Sequence, residues 1–342
     1  MKYRYIIAFF AISAILSYLL LSELSIQPYI TLMFALFTVQ LSLNYVLEKY
    51  LGSELRNKYF NMIIAPGTVI HEASHALVAK MLGCEITNIS FFSAKNSGVL
   101  GFVEYTQPAD RVKGVRSLLI SFAPFFGCGV FLIAILNFLA LNYPGMEQIG
   151  PGLVEVGSLN QFINTLEQII ARLYGQLLYL DLTNPALLIV LYLEFSFALG
   201  SAPSLQDIAG ASKSILEYRL EALSMALLVV SVLLIIEYGP ILDPSFSTLS
   251  EAALLSMKWF TLVLMISTIM LFASVPLSYI FVETAEIKGP LKIVPLVVFF
   301  IVYVFLAKFL AVGAVVTVAT SVGAYLLSLL LIKKPEYFIR EA

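Results

Sequence analysis

The sequence predicts an all-α polytopic membrane protein that also contains a small β-hairpin. Of its 342 residues, 60% are hydrophobic and 12% are charged, whereas soluble globular proteins are about 45–50% apolar and about 25% charged. Basic and acidic residues nearly balance, at 20 and 22, so the charge does not point to a nucleic-acid partner. The lipid bilayer is therefore the expected surroundings of the chain, and the cell membrane its expected location.

A membrane-spanning helix needs about 20 mostly apolar residues, and the apolar runs predict about eight or nine such helices. They cover approximately residues 5–21, 28–46, 61–82, 115–141, 186–199, 222–236 and 260–281, with two more within 291–332. Lys308 and Gly313 mark the predicted break in that last region. We expect three units, namely N-terminal helices (1–60), a central unit with the candidate site (61–218) and C-terminal helices (219–342).

Residues 85–106 differ from their surroundings because they are rich in β-branched and aromatic side chains. A polar stretch that contains glycine, residues 95–98, divides them, and this pattern is typical of a β-hairpin. Residues 143–184 predict a polar loop with an amphipathic stretch near 166–180. The two cysteines, Cys84 and Cys128, lack the spacing of a disulfide framework or a zinc site and are expected to act as small apolar residues.

The positions of lysine and arginine predict which loops face the cytoplasm. Loop 143–184 has one basic residue and is expected outside. Three basic segments are expected inside, at residues 201–219, 282–292 and 333–342. Two arrangements of the N-terminal half stay open. The 61–82 helix either runs outward, so that residues 83–113 recross the membrane, or runs inward, so that the hairpin begins and ends on the cytoplasmic side. We favour the second arrangement, because unpaired strand edges are not tolerated in lipid.

The only two histidines of the sequence, His71 and His75, stand four residues apart, and Glu72 follows the first. Residues i and i+4 share a helix face, so both imidazoles can bind one zinc ion. Glu72 can then reach a water molecule at the open coordination position and act as general base and proton donor. The alternative is a pair of core histidines hydrogen-bonded within a bundle. It is disfavoured, because ionisable residues in membrane segments are costly and usually functional.

A catalytic zinc usually has three protein ligands, and without a third histidine the remaining ligand is expected to be a carboxylate. Asp207 comes just after the 186–199 helix and Pro203, where a break could turn the chain back toward the histidines. Glu194, in the middle of that helix, is the rival, because a carboxylate within the membrane needs a partner or a proton. Asp207 could instead cap a helix N-terminus. We favour Asp207, and both carboxylates stay open as the third ligand.

Residues 61–92, with PGTVIHEASHALVAKMLGCEITNISFF, resemble the active-site helix and following strand of the site-2 protease family. The resemblance implies an intramembrane zinc metalloprotease whose partner is a membrane-protein substrate, cut in or near a transmembrane segment. It implies Zn²⁺ as cofactor, with Glu72 as the catalytic residue and His71, His75 and Asp207 as metal ligands.

In that family a later helix supplies the aspartate from a motif similar to Asn-x-x-Pro-x-x-x-x-Asp-Gly. The matching stretch here is 200–210, where Gly200 replaces the asparagine and the spacing from Pro203 to Asp207 is one residue shorter. Residues 123–127, APFFG, are similar to a Gly-Pro element of the family without its asparagine. The asparagine would help to hold the substrate or its oxyanion, and it has no counterpart at position 200.

Two other classes of protein compete with the protease. A metal-binding membrane protein without activity, such as a pseudoprotease or chaperone, is favoured by the missing asparagine and opposed by Glu72, which a structural zinc does not need. A secondary transporter would show inverted repeats, and the sequence contains none that we detect. The hairpin either binds an extended substrate segment by strand addition or only covers the site. The sequence predicts neither a particular substrate nor an oligomeric state.

Overall fold

A computed structural model of the protein describes residues 3–22, 24–50, 54–91, 101–110, 112–142, 146–178, 185–201, 205–287, 289–306 and 314–340. Within these ranges the chain is mainly helical, with one two-stranded sheet. The helices are α1 (Tyr3–Leu20), α2 (Gln27–Tyr50), α3 (Glu54–Met81), α4 (Lys113–Asn142), α5 (Leu159–Leu178), α6 (Pro185–Ser201), α7 (Leu205–Glu217), α8 (Arg219–Leu242), α9 (Ser247–Ala285), α10 (Val294–Val304) and α11 (Ala314–Arg340).

Four segments of the described chain are helical, long and apolar enough to cross a membrane. They are Gln27–Val46, Lys113–Asn142, Arg219–Ile241 and Pro244–Ser274. Each overlaps a predicted span, so the chain has the helices and composition of a membrane protein, and the total of eight or nine spans stays a prediction. The predicted third span lies in α3, which is not among the four because His71, Glu72 and His75 lower its hydropathy. The predicted break near Lys308 and Gly313 lies outside the described residues.

Helices α5 and α9 begin well before the segments that the sequence pattern predicts. The amphipathic helix α5 starts at Leu159, where the side chain of Ser158 accepts a hydrogen bond from the Gln161 N–H and so caps the first turn. The predicted span at 260–281 belongs to the longer helix α9, which begins at Ser247 after a short 3₁₀ turn. Capping and turn chemistry, rather than apolar periodicity, set both boundaries.

Helices α3, α4 and α6 pack against one another and carry the candidate site. Along α3, Gly67 contacts Cys128 of α4, and Leu82, just past the end of α3, accepts a hydrogen bond from Arg116. These contacts make α3 and α4 antiparallel. Helix α6 runs parallel to α3, and the Gly67 N–H donates to Ser196 Oγ at 2.7 Å. The absence of a side chain at Gly67 permits this approach, because a Cβ there would lie 1.9 Å from the Ser196 carbonyl oxygen.

The predicted β-hairpin is confirmed. Strands β1 (Glu85–Ser90) and β2 (Phe102–Thr106) pair antiparallel, with Glu85 opposite Thr106 and Ser90 opposite Phe102. The predicted turn at 95–98 lies outside the described residues. The chain enters β1 through Gly83, whose positive φ of 76° ends the α3 helix.

One arginine connects the segments that precede and follow this hairpin. Arg116, in the first turns of α4, donates from Nε to the Leu82 carbonyl at 2.9 Å and from both terminal nitrogens to the Asp110 carboxylate, at 3.0 and 2.7 Å. Leu82 precedes β1 and Asp110 follows β2. The hairpin therefore begins and ends at one end of the α3–α4 pair, which agrees with the arrangement in which both of its ends lie on one side of the membrane.

The N-terminal and C-terminal helices share the core of the central unit. Helix α9 packs against both α2 and α6. Its residues Leu262, Met265 and Ile266 are fully or almost fully buried in one apolar cluster with Leu132 of α4 and Ile169 of α5. Helix α6 contributes Phe197 and Ala198 to the same cluster, so the core joins α9 to two of the three helices that carry the site.

Candidate metal centre

The two histidines of α3 meet the first turn of α7. Asp207 lies in that turn, and each of its carboxylate oxygens faces one imidazole. The Oδ2 atom lies 3.1 Å from His71 Nε2, and Oδ1 lies 2.9 Å from His75 Nε2. Both histidines are buried, and the ligand atoms of the three residues lie within 4.8 Å of one another. In the described part of the chain this is the one group of three or more such residues that could hold a metal ion.

The other nitrogen of each imidazole is hydrogen-bonded to a backbone carbonyl. His71 Nδ1 lies 2.8 Å from the Gly200 oxygen, and His75 Nδ1 lies 2.7 Å from the Ile120 oxygen. A carbonyl only accepts hydrogen bonds, so both Nδ1 atoms carry the proton and donate it. In the neutral imidazoles the Nε2 lone pairs then point at the Asp207 carboxylate.

This arrangement of donors fits a metal ion. Two lone pairs and a carboxylate repel one another unless a proton or a cation lies among them. Without a metal ion, protons on the two Nε2 atoms would serve this purpose. Burial opposes ionisation of Asp207, but hydrogen bonds from the two imidazolium rings would outweigh it and hold the pKa of this carboxyl well below its usual range. Nitrogen and carboxylate oxygen are ligands that zinc accepts, and a carbonyl on the second imidazole nitrogen is the usual support of a histidine ligand.

Glu72 lies beside this group, against the loop end of the hairpin. Its side chain is buried at 8% exposure. Gly101, just before β2, passes so close that a Cβ there would lie 2.6 Å from Glu72 Cγ, and 3.0 Å from the carbonyl oxygens of both Ser90 and Phe91. The hairpin backbone thus covers the acid and leaves no room for a side chain at position 101.

The structure brings His71, His75 and Asp207 together, and it separates them from Glu194, the rival carboxylate. Glu194 lies in α6 before the Gly200 carbonyl that supports His71, and it does not belong to the group. Glu194 is 1% exposed, and its Oε1 atom has no hydrogen-bond partner among the described residues.

Sequence reasoning missed the backbone groups of the site, namely the Ile120 and Gly200 carbonyls and the close passage of Gly101. Backbone atoms carry no residue-specific signal, so a motif search does not find them. Two local signals were available. Pro124 stands four residues after Ile120, and Gly200 stands next to the end of α6 at Ser201, where helix carbonyls lose their internal partners.

Comparisons of the chain with protein-family models, with curated proteins and with solved structures give no match. The interpretation of the site therefore depends on its residues and their geometry.

Proposed function

We propose that this protein is an intramembrane zinc metalloprotease, which hydrolyses peptide bonds in or near the transmembrane segments of other membrane proteins. The observation that carries the proposal is the convergence of His71, His75 and Asp207 from two helices, with Glu72 one residue from the first histidine. The resemblance of residues 61–92 to the site-2 protease family supports the same function. Zn²⁺ would be held by the two Nε2 atoms and the Asp207 carboxylate.

A bound zinc ion would supply Lewis-acid polarisation of the scissile carbonyl and of a water molecule. Glu72 accepts the proton of the attacking water and passes it to the leaving amine, as a general base and then a general acid. Its burial under Gly101 keeps bulk water away from this proton transfer. The Gly200 and Ile120 carbonyls hold both imidazoles in the Nδ1–H tautomer, so that each Nε2 stays available.

The hairpin is the part of the site best suited to hold a substrate. A peptide bond in a helix is shielded by the surrounding turns, so a protease needs its substrate extended. In the described sheet each strand pairs on one side only, and the loop end of the hairpin lies against Glu72. We propose that one of these strand edges binds an extended segment of the substrate by strand addition.

The location of the protein follows from the same proposal. The chain would be a multi-pass protein of the cell membrane, with about eight or nine spans. The four long apolar helices and the four shorter ones support this number. The hairpin end of α3 would face the cytoplasm and give water access to the site.

The test compares zinc content and proteolysis in detergent-purified protein. Wild type is expected to hold close to one zinc ion per chain and to cleave a membrane-protein substrate in liposomes. The Glu72→Gln variant is expected to keep the zinc and lose cleavage, because the amide does not accept the proton. The Asp207→Ala variant is expected to lose both. Cleavage at the wild-type rate by Glu72→Gln would refute the mechanism, and a folded wild type without zinc would refute the metal site.

One observation favours a second candidate, a membrane protein that binds metal without cleaving peptides. Gly200 stands where the related family has an asparagine, and a glycine has no side chain with which to hold an oxyanion. This candidate predicts zinc in wild type and no hydrolysis of any membrane-protein substrate. It also predicts that Glu72→Gln leaves the function unchanged, which distinguishes it from the protease.

A further inference from the structure

The carbonyl that supports His75 lies four residues before a proline of the same helix. Helix α4 continues without interruption through Pro124. Proline has no N–H, so it cannot donate the hydrogen bond that the Ile120 carbonyl would otherwise receive within the helix. That carbonyl instead accepts the Nδ1–H of His75 at 2.7 Å, and Ile120 is itself 2% exposed.

The same relation recurs at two other internal prolines, in helices α3 and α8. In both, the carbonyl four residues before the proline accepts a hydrogen bond from a side chain of a neighbouring helix. These pairs are Met62 O with Tyr192 OH at 2.5 Å, before Pro66, and Ile236 O with Ser250 Oγ at 2.8 Å, before Pro240. The recurrence indicates that Pro66, Pro124 and Pro240 each free a backbone acceptor for a contact between helices.

The two histidines obtain their carbonyls by different means. Gly200 lies in the last turn of α6, which ends at Ser201, so its carbonyl has no intrahelical donor whatever residue follows. Ile120 lies inside α4, where the carbonyl would be occupied if residue 124 had an N–H. A change at position 124 should therefore act on His75 and spare His71.

We propose that Pro124 is a positioning residue for the metal ligand His75. By leaving the Ile120 carbonyl open, it fixes the Nδ1–H tautomer of His75 and aims Nε2 at the metal and at Asp207. The inference rests on the proposed metal site, but it does not depend on which reaction the site performs. Alanine at position 124 returns a backbone N–H to the Ile120 carbonyl, and that N–H competes with the imidazole.

The first experiment measures Co²⁺ affinity, from the visible absorption of the bound ion, for wild type, Pro124→Ala and Pro240→Ala. Loss of a partner that supports a metal ligand usually weakens binding about 10–100-fold. A carbonyl has two lone pairs, so competition is expected to weaken binding by about tenfold, at the lower end of that range. Pro240→Ala, the matched control in a helix that supplies no group to the site, is expected to keep the wild-type affinity. Equal affinity in wild type and Pro124→Ala, or an equal loss in both variants, would overturn the proposal.

The second experiment uses NMR to detect the hydrogen bond between His75 Nδ1–H and the Ile120 carbonyl directly. Because the chain has two histidines, ¹⁵N-histidine labelling gives one imidazole spectrum for each of them, and His75→Gln assigns the signals. Wild type is expected to show a protonated, hydrogen-bonded Nδ1 on both rings, and Pro124→Ala is expected to shift the His75 signals alone.

The NMR measurement distinguishes failure of the proposed metal site from failure of the proposed role of Pro124. If wild type bound no Co²⁺ yet showed the Nδ1–H of His75 and its shift in Pro124→Ala, the metal site would fail and the positioning contact would stand. An unprotonated Nδ1 on His75 in wild type would overturn the inference even if the alanine variant did not fold.

Discussion

Replacement of Gly67 by alanine is expected to force α3 and α6 apart and to weaken metal binding one turn away. The added Cβ would lie 1.9 Å from the carbonyl oxygen of Ser196 and 2.7 Å from its carbonyl carbon. Both atoms belong to the α6 backbone, so no change of rotamer relieves the contact. Real Cβ atoms essentially never come within 3.0 Å of such a neighbour, so the Cβ–oxygen distance must grow from 1.9 Å to at least 3.0 Å.

The expected cost follows from three contributions. Overpacking of this kind costs about 1–3 kcal/mol. Loss of the hydrogen bond from the Gly67 N–H to Ser196 Oγ costs about 1 kcal/mol more. The higher helix propensity of alanine returns about 1 kcal/mol. The net destabilisation is therefore about 1–3 kcal/mol, dominated by the overpacking.

The same displacement reaches the metal site, because the Gly200 carbonyl lies on α6 and holds His71 Nδ1 at 2.8 Å. A shift of α6 by about 1 Å breaks a hydrogen bond of this length, and the expected loss of metal affinity is about tenfold or more. Thermal melting in detergent and Co²⁺ titration measure the two effects. The matched control is Gly175→Ala in α5, where a Cβ meets no atom within 4 Å. A Gly67→Ala protein with the wild-type melting temperature and metal affinity would refute the reasoning.

Three further predictions concern the hairpin and the metal. Arg116→Gln removes the hydrogen bonds to Leu82 and Asp110, so amide hydrogen exchange should accelerate in β1 and β2 and stay unchanged in α9. Unchanged exchange in the strands would show that Arg116 does not stabilise the hairpin. The hydrogen bonds from Arg116 hold the pKa of the Asp110 carboxyl below its usual range. The ion pair should thus stabilise the hairpin above about pH 3.9, the ordinary aspartate value, and fail as the pH falls through the lowered pKa. Limited proteolysis should detect that loss in wild type and find no such pH dependence in Asp110→Asn. Finally, zinc at 100 times its Kd should stabilise wild type by about 2.7 kcal/mol, and chelation should abolish this gain. At the same zinc concentration Asp207→Ala should gain much less stability than wild type, because two histidines alone bind zinc more weakly. A gain equal to that of wild type would exclude Asp207 as a ligand.

The parts of the fold and site that sequence predicts are those with a periodic or chemical signature. Apolar runs identify the long helices, and β-branched residues around a polar turn identify the hairpin. The spacing of His71 and His75 is enough to place both imidazoles on one helix face, whatever the rest of the chain does. These features are local, so a short window of sequence contains all the information that they need.

The remaining features depend on how distant segments meet. Both Asp207 and Glu194 were open as the third ligand, because the choice between them depends on where α7 begins relative to α3. The structure places the first turn of α7 against both histidines, and it leaves Glu194 on α6 away from them. The contact of Gly101 with Glu72 likewise arises only when the hairpin folds back on α3, and no spacing in the sequence encodes it.

If the protein is the proposed intramembrane protease, the position of the histidines along α3 affects how a substrate reaches them. At 1.5 Å per residue, His75 lies about 9 Å from the end of α3 at Met81, and His71 lies about 26 Å from its beginning at Glu54. The site is therefore closer to the C-terminal end of α3, where the hairpin begins, than to the N-terminal end of α3. For a scissile bond near the hairpin-side end of the substrate helix, about two helical turns must unwind before the bond reaches the site. For a bond at the middle of a 20-residue helix, about three turns must unwind. Under this proposal, cleavage sites are expected to cluster toward the hairpin-side end of the substrate helix.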